Sequence, residues 1–288
     1  MTSQLHSLPL LLCFAGSFLL VCAPSLGADE PAYQERSLSS WLQDFAIGGH
    51  PDMGQHHAAV QAVRAIGREA LPVLTERLQT ISHTSDRDQD IHTVSAFRAL
   101  GAEARPAIPA LIELLAPAYD AARESLSEPD AQLNDRKSGA AVRALQAIGH
   151  DSVPPLIDAL GAEETRIRFG AAMALEHFPR QVNEIVPALI DALEDEDCDV
   201  RWRAARSIGT LRAMPELSVP ALANRLRDDP ATNVRCYAIM ALGKFGTTAK
   251  TSIPDLRKAA TDPNGAIRSY AHAALEQVEP AANETLDD

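Results

Sequence analysis

The chain has 288 residues, 46% of them apolar but only 5% aromatic, so it can bury a sizeable core that Ala and Leu must fill. A formal net charge of −13 and the lack of any long basic run exclude nucleic acid and anionic membrane surfaces as general partners.

No Asp, Glu, Lys or Arg precedes Asp29, and Leu8 to Ala23 is almost wholly apolar ahead of Pro24-Ser25-Leu26-Gly27-Ala28. This pattern predicts a secretory signal peptide over residues 1–28, because the apolar run falls short of the roughly 20 residues that span a bilayer. The mature protein is then expected in the periplasm or outside the cell. An uncleaved anchor is one alternative; a lipid on Cys22 is another, since Leu19-Leu20-Val21-Cys22 loosely resembles a lipoprotein box. After cleavage only Cys198 and Cys236 remain. They stand at different register positions of neighbouring repeats, so both are expected as free, partly buried thiols.

Residues 29–54 read as a capping helix and loop. Leu38, Trp41, Leu42 and Phe45 share one helix face, Ser37 is available as N-cap and Gly48-Gly49 as the stop. From Gln55 to Val278 a pattern then recurs: an Ala-rich helix, a glycine, and a second helix opened by proline. Early copies are Ala62 to Ile66, Gly67, Pro72; Ala96 to Leu100, Gly101, Pro109; and Ala140 to Ile148, Gly149, Pro154. Two inserts interrupt the period, Ser82 to His92 and residues 117–139. The second has room for a helix around Tyr119 to Leu126, with Glu128-Pro129-Asp130 as a breaker.

The later copies are more regular. Arg168, Arg201, Arg235 and Arg268 are 33, 34 and 33 residues apart, and Val200, Ala204 and Ile208, with their equivalents, keep one side of each first helix apolar. Gly209 and Gly243 are expected as left-handed caps, and Pro187, Pro220 and Pro254 as first-turn prolines of the second helices. The glycine-to-proline interval is 5, 8 and 5 residues in the early copies and 11 in the two late ones that keep the glycine. Ile267 to Val278 reads as a final helix without a partner, and residues 279–288 as a disordered acidic tail.

The motif Asp-x-x-x-x-Val-Arg-x-x-Ala-Ala-x-x-x-Gly followed by Pro-x-Leu resembles the HEAT repeat, in particular the bacterial HEAT-like repeats of the phycobilisome-lyase type. The resemblance implies an all-α, right-handed α-solenoid, an armadillo-like superhelix of about six helix pairs whose second helices line the concave side. It also implies a ladder between repeat Asp and Arg. Asp195/Arg201, Asp229/Arg235 and Asp262/Arg268 keep a six-residue spacing, whereas Ala162 stands opposite Arg168. Where solvent reaches such pairs they contribute about 0–1 kcal/mol each.

Four residues after each second-helix proline come Glu76, Glu113, Asp158, Asp191, Asn224 and Lys258. If the neighbouring Leu faces the core, this position faces the groove, and Glu76, Glu113, Asp158 and Asp191 form an acidic stripe suited to a basic peptide or protein. A solvated acidic face of an acidic protein is the alternative. The loop from Glu194 to Asp199 is dense in carboxylates, but it lacks a turn glycine and helix capping claims Asp197 or Asp199; no metal is expected there. His56 and His57 diverge if helical and are not expected to join His50 and Asp52 as ligands.

Enzymatic readings find little support. HEAT-like di-iron hydroxylases use His-Glu dipeptides, and none occurs; Glu176-His177 reverses the order. No nucleophile elbow, P-loop or dinucleotide fingerprint is present. The expectation is a monomeric, non-catalytic protein-interaction scaffold or adaptor of the cell envelope, without cofactor or catalytic residue. The alternative is a lyase-like or oxidoreductase-associated protein that holds a small ligand or serves a separate enzyme.

Overall fold

The computed structural model describes residues 30–45, 53–82, 85–116 and 128–280, with side chains from 136 onwards in the last stretch. The leader, Cys22, His50, Asp52, the Gly48-Gly49 stop, the Tyr119 to Leu126 helix and most of the tail lie outside the described residues.

The described chain opens with a hairpin that the sequence reading missed. Strands β1 (Ala32–Tyr33) and β2 (Arg36–Ser37) pair antiparallel across Gln34 and Glu35, both at positive φ. It leads into α1 (Leu38–Leu42), whose first turn is capped by Ser37 accepting from the Ser40 N–H at 3.3 Å. The helix is shorter than the spacing suggested, yet Trp41 and Phe45 are both buried. Trp41 is fixed from two sides: Nε1 donates to the Tyr33 carbonyl at 3.0 Å, and the Arg36 guanidinium lies 3.8 Å from the ring centroid.

Among the described residues six helix pairs and a single helix follow. The first helices are α2 (Met53–Ile66), α4 (Arg87–Leu100), α6 (Glu128–Ile148), α8 (Thr165–Leu175), α10 (Cys198–Leu211), α12 (Thr232–Phe245) and the unpaired α14 (Gly265–Val278). The second helices are α3 (Leu71–Gln79), α5 (Ile108–Glu113), α7 (Val153–Ala159), α9 (Val182–Ala192), α11 (Pro215–Asp228) and α13 (Ile253–Ala259). First helices pack on one another from α8 through α14, as second helices do from α5 through α13. Two layers of like helices sharing one core make an all-α solenoid. Among the described residues no helix is long and apolar enough to cross a membrane.

Both inserts turn out shorter than expected. Asp86 caps α4 through the Asp88 N–H at 3.0 Å, so residues 87–92 belong to that helix. Glu128-Pro129-Asp130 opens α6 rather than breaking it, because a proline in the first turn gives up only an N–H that has no helical partner anyway. The inserts also meet. Arg136 pairs with Asp90 and donates to the carbonyls of Ser82 and Ser85, at 3.3 and 3.0 Å, closing the loop between α3 and α4.

Gly209 and Gly243 do not cap helices. Among the described residues the left-handed glycines are Gly67, Gly101, Gly149 and Gly246, and Arg212 ends α10 at φ 48. Gly209 and Gly243 instead lie inside α10 and α12, where the next first helix passes close. A Cβ on Gly209 would fall 2.7 Å from the Ala241 Cβ, and one on Gly243 would fall 3.2 Å from the Ala274 Cα. Measured from the true cap, Gly246 to Pro254 spans the same interval as Gly101 to Pro109. Each is filled by 3₁₀ turns, Gly101–Ala107 in the one and Gly246–Ser252, kinked at Ala249, in the other. The late interval thus shortens to that of the second early copy, while Gly67 to Pro72 and Gly149 to Pro154 keep their five residues.

Pro187 and Pro220 lie inside their helices, not in the first turn. An interior proline costs about 3 kcal/mol, but the added turn of α9 buries Ile185 and Val186, each contributing roughly 1.5–3 kcal/mol. Burial outweighs the lost hydrogen bond, and the helix continues through the proline.

Candidate functional site

The ladder that sets the repeat register runs differently from the six-residue pairing that the spacing suggested. Arg168 grips Asp195 through Nε and Nη2 at 2.8 and 3.0 Å, Arg201 grips Asp229 at 2.8 and 3.0 Å, and Arg235 reaches Asp262 at 2.6 Å. Each arginine pairs with the carboxylate of the following repeat. What lies six residues before each arginine is a carbonyl: Arg168 donates to Ala162 O at 3.1 Å, Arg201 to Asp195 O at 2.9 Å, and Arg268 to Asp262 O at 2.8 Å. Ala162 is no defect, because only backbone is needed there. Arg235 departs from the rule and donates through Nε to the Leu226 carbonyl.

Each ladder aspartate also holds its own turn, accepting the N–H two residues on: Asp197 for Asp195, Ala231 for Asp229 and Asn264 for Asp262, at 2.9, 2.9 and 2.8 Å. Solvent does not reach the middle rung, since the Asp229 side chain is 0% exposed. Hydrogen bonding to the carboxylates raises Arg168 and Arg201 above the usual guanidinium range, burial working in the opposite sense.

The ladder begins at α8, and the second helices on both sides of that point carry a proline at one repeat position. Pro72, Pro109, Pro154, Pro187, Pro220 and Pro254 are all exposed, one on each second helix. One turn on, Glu113, Asp158 and Asp191 are exposed on α5, α7 and α9, which pack directly in series. Glu76 is half-buried on α3, in a groove of about 480 Å³ whose lining includes the cation Arg68 together with Leu71, Pro72, Thr75 and Pro106. Among the described residues none of the four carboxylates forms an ion pair. Beyond Asp191 the charge changes. Asn224 is bonded by Arg227, which also pairs with Asp255 at 2.6 Å, and Lys258 is exposed on α13.

The carboxylates of the 194–199 loop are committed to the backbone and its neighbours. Asp197 caps α10 through the Asp199 N–H at 2.8 Å, and Asp199 accepts from Trp202 Nε1 at 2.9 Å. Asp197, Cys198 and Asp199 bring ligand-type atoms within 4.8 Å of one another. Cys198 is half-buried and Cys236 buried, both free thiols; burial raises the Cys236 pKa above its ordinary value. His56 meets Phe45 edge-on at 5.6 Å whereas His57 bonds Gln61 at 3.0 Å, so the adjacent histidines point apart.

Two clusters escaped the sequence reading. Arg203 is buried between α8 and α10, pairing with Glu176 at 2.9 Å, while Ser207 donates to the same carboxylate at 3.2 Å and to the Ala172 carbonyl. Burial brings the Arg203 guanidinium down to about 10, so it stays charged at neutral pH. Across α8, α10 and α12, Phe169, Trp202 and Tyr237 form a row, the first two edge-on at 5.4 Å and the last two stacked at 4.6 Å. Their one- and two-residue offsets from the repeat arginines were the available signal.

Two overlapping segments, residues 171–233 and 219–287, match HEAT repeats, and residues 139–161 match the PBS lyase HEAT-like repeat. The chain belongs to the HEAT repeat family. No curated protein matches it. Among solved structures this HEAT solenoid resembles Kap121p, at 13% identity over 84% of this chain and 29% of that one, with a TM-score of 0.54. Kap121p bound to the extreme C-terminus of the protein phosphatase Cdc14p gives 11% identity, the same coverages and a TM-score of 0.55. A designed armadillo repeat protein is covered in full, over 84% of this chain, at 17% identity and a TM-score of 0.45. At these identities the likeness is one of fold. The HEAT chain spans less than a third of the karyopherin.

Proposed function

We propose that this HEAT solenoid is a non-catalytic scaffold that binds a basic peptide or protein segment on the face of its second helices. The observation that carries the reading is the row Glu113, Asp158 and Asp191 on three directly packed helices, exposed and outside every ion pair of the described residues. Carboxylates left free at one register of successive repeats favour a cationic partner by complementarity. Solenoids of this architecture offer extended surfaces of that kind, and the karyopherin neighbour is one whose solved complex holds the end of another protein's chain. The uncharged, apolar start of the sequence supports export of the scaffold to the cell envelope.

The test is binding of a fluorescent arginine-rich peptide to the wild type and to the triple variant Glu113→Ala, Asp158→Ala, Asp191→Ala. The reading expects affinity to fall by about tenfold or more in the variant, and the wild-type affinity to fall with added salt. Equal affinities for the two proteins would refute it.

A further inference from the structure

We propose that the groove between α3 and α5 docks a peptide segment of a partner protein, one that carries an apolar side chain between an acidic and a basic residue. Glu113, Asp158 and Asp191 do not line this groove, so the proposal stands or falls separately from the binding of a basic segment along their row.

The groove exists because the layer of second helices opens at this point. From α5 to α13 each second helix packs directly on the next, whereas α3 packs on the 3₁₀ turns Gly101–Ala107 and on α6. About 480 Å³ is left between α3 and α5, a volume within the range of about 300–1,000 Å³ in which proteins hold ligands.

Much of its lining is apolar. Leu71 and Ala107 are buried and make the floor, while Pro72 and Pro106, one from each side, are exposed. Ala110 adds a small side chain on the α5 side. An apolar side chain laid on this surface withdraws it from water. Because the proline rings are exposed, the groove is open to solvent and admits a length of chain instead of enclosing a small molecule.

The charged groups of the groove belong to the α3 side and carry both signs. Arg68 stands just before α3 and Glu76 lies about two turns further along, and both line the groove. Among the described residues neither forms an ion pair. A wholly basic segment brings a like charge to Arg68, and a wholly acidic one brings a like charge to Glu76. A segment with one charge of each sign satisfies both: its carboxylate meets the Arg68 guanidinium by two parallel hydrogen bonds, and its Lys or Arg donates to Glu76. Its apolar side chain then lies between them on Leu71 and the two prolines.

The experiment uses a labelled, end-capped peptide, Glu-Ala-Leu-Leu-Ala-Lys, made in this order and reversed because the groove leaves chain direction open. Binding to the intact protein is read by fluorescence anisotropy at low salt. One of the two orders should bind about tenfold more tightly than the same peptide with Gln at both charged positions. Ala110→Trp fills the groove from a half-buried position, and Glu76→Arg reverses one charge; with folding checked by circular dichroism, each should weaken binding by about tenfold or more. A peptide with Glu at both ends should bind Glu76→Arg and not the wild type. The triple variant Glu113→Ala, Asp158→Ala, Asp191→Ala should bind the mixed-charge peptide as the wild type does. No binding of either order by the wild type, or undiminished binding by Ala110→Trp, would overturn the groove and leave the basic-segment reading untouched. A tenfold loss in the triple variant would place the peptide on the row and overturn the groove as well.

Discussion

Arg201 and Asp229, 28 residues apart in sequence, are joined by two parallel hydrogen bonds of 2.8 and 3.0 Å in a site where the carboxylate is shut off from solvent. This bridge ties α10 to the turn that opens the next repeat, so its loss should loosen the stack between them. Asp229→Ala leaves a buried guanidinium without its carboxylate and should destabilise the fold by about 3–5 kcal/mol. Adding Arg201→Met should recover most of that, leaving about 1 kcal/mol for the lost turn cap at Ala231. Urea unfolding of the two variants measures both. A cost of less than about 1 kcal/mol for the single variant would remove the bridge from the account of register.

Gly209 tests the close approach of the first helices. Replacing it by alanine gains about 1 kcal/mol of helix propensity, yet the new Cβ would lie 2.8 Å from the Ala241 Cα, which is backbone and cannot turn aside. Overpacking of this kind costs about 1–3 kcal/mol, so Gly209→Ala is expected to lower the melting temperature despite the better helix former. A raised melting temperature would show that α10 and α12 can move apart at no cost.

Acid should weaken the fold in two separate ranges. Burial holds His92 below its ordinary value of 6.5, although a hydrogen bond with the Phe45 backbone opposes this, and burial lowers His177 in the same sense. The unfolded chain therefore takes up these protons first: stability is complete above about pH 6.5 and declines as the pH falls through the lowered values. Asp262 is held below the usual carboxylate value of 3.8 by the Asn264 N–H and by Arg235, so its contribution persists to lower pH and is lost beneath that value. Melting curves from pH 7.5 to pH 3 should show both declines. His92→Gln with His177→Gln should flatten the upper one, and Asp262→Asn the lower.

The solenoid was legible because its repeats carry side chains at fixed offsets: Val200, Val234 and Ile267 are all fully buried one residue before their arginines, and Leu222, after Pro220, is buried too. Family membership followed from the same offsets. Local punctuation was read less well. A glycine eight residues after an arginine satisfies the rule for a left-handed cap and the demand for a close helix contact equally, and only the three-dimensional stack shows that Gly209 and Gly243 answer the second. Pro187 and Pro220 misled for a related reason, since propensity stops a helix where burial of Ile185 and Val219 carries it on. The ladder's direction was also hidden. Asp and Arg within one repeat share a constant spacing whichever repeat each pairs with, and Arg136 meeting Asp90 links two inserts that no period connects.

The central claim, that a basic partner lies across the second helices, is tested most directly by amide hydrogen exchange with and without an arginine-rich peptide. Bound peptide should slow exchange in α5, α7 and α9 around Glu113, Asp158 and Asp191, and leave the outer first helices α8, α10 and α12 unchanged. Protection confined to α8, α10 and α12, along the row from Phe169 through Trp202 to Tyr237, would place the partner on the opposite layer and contradict the account.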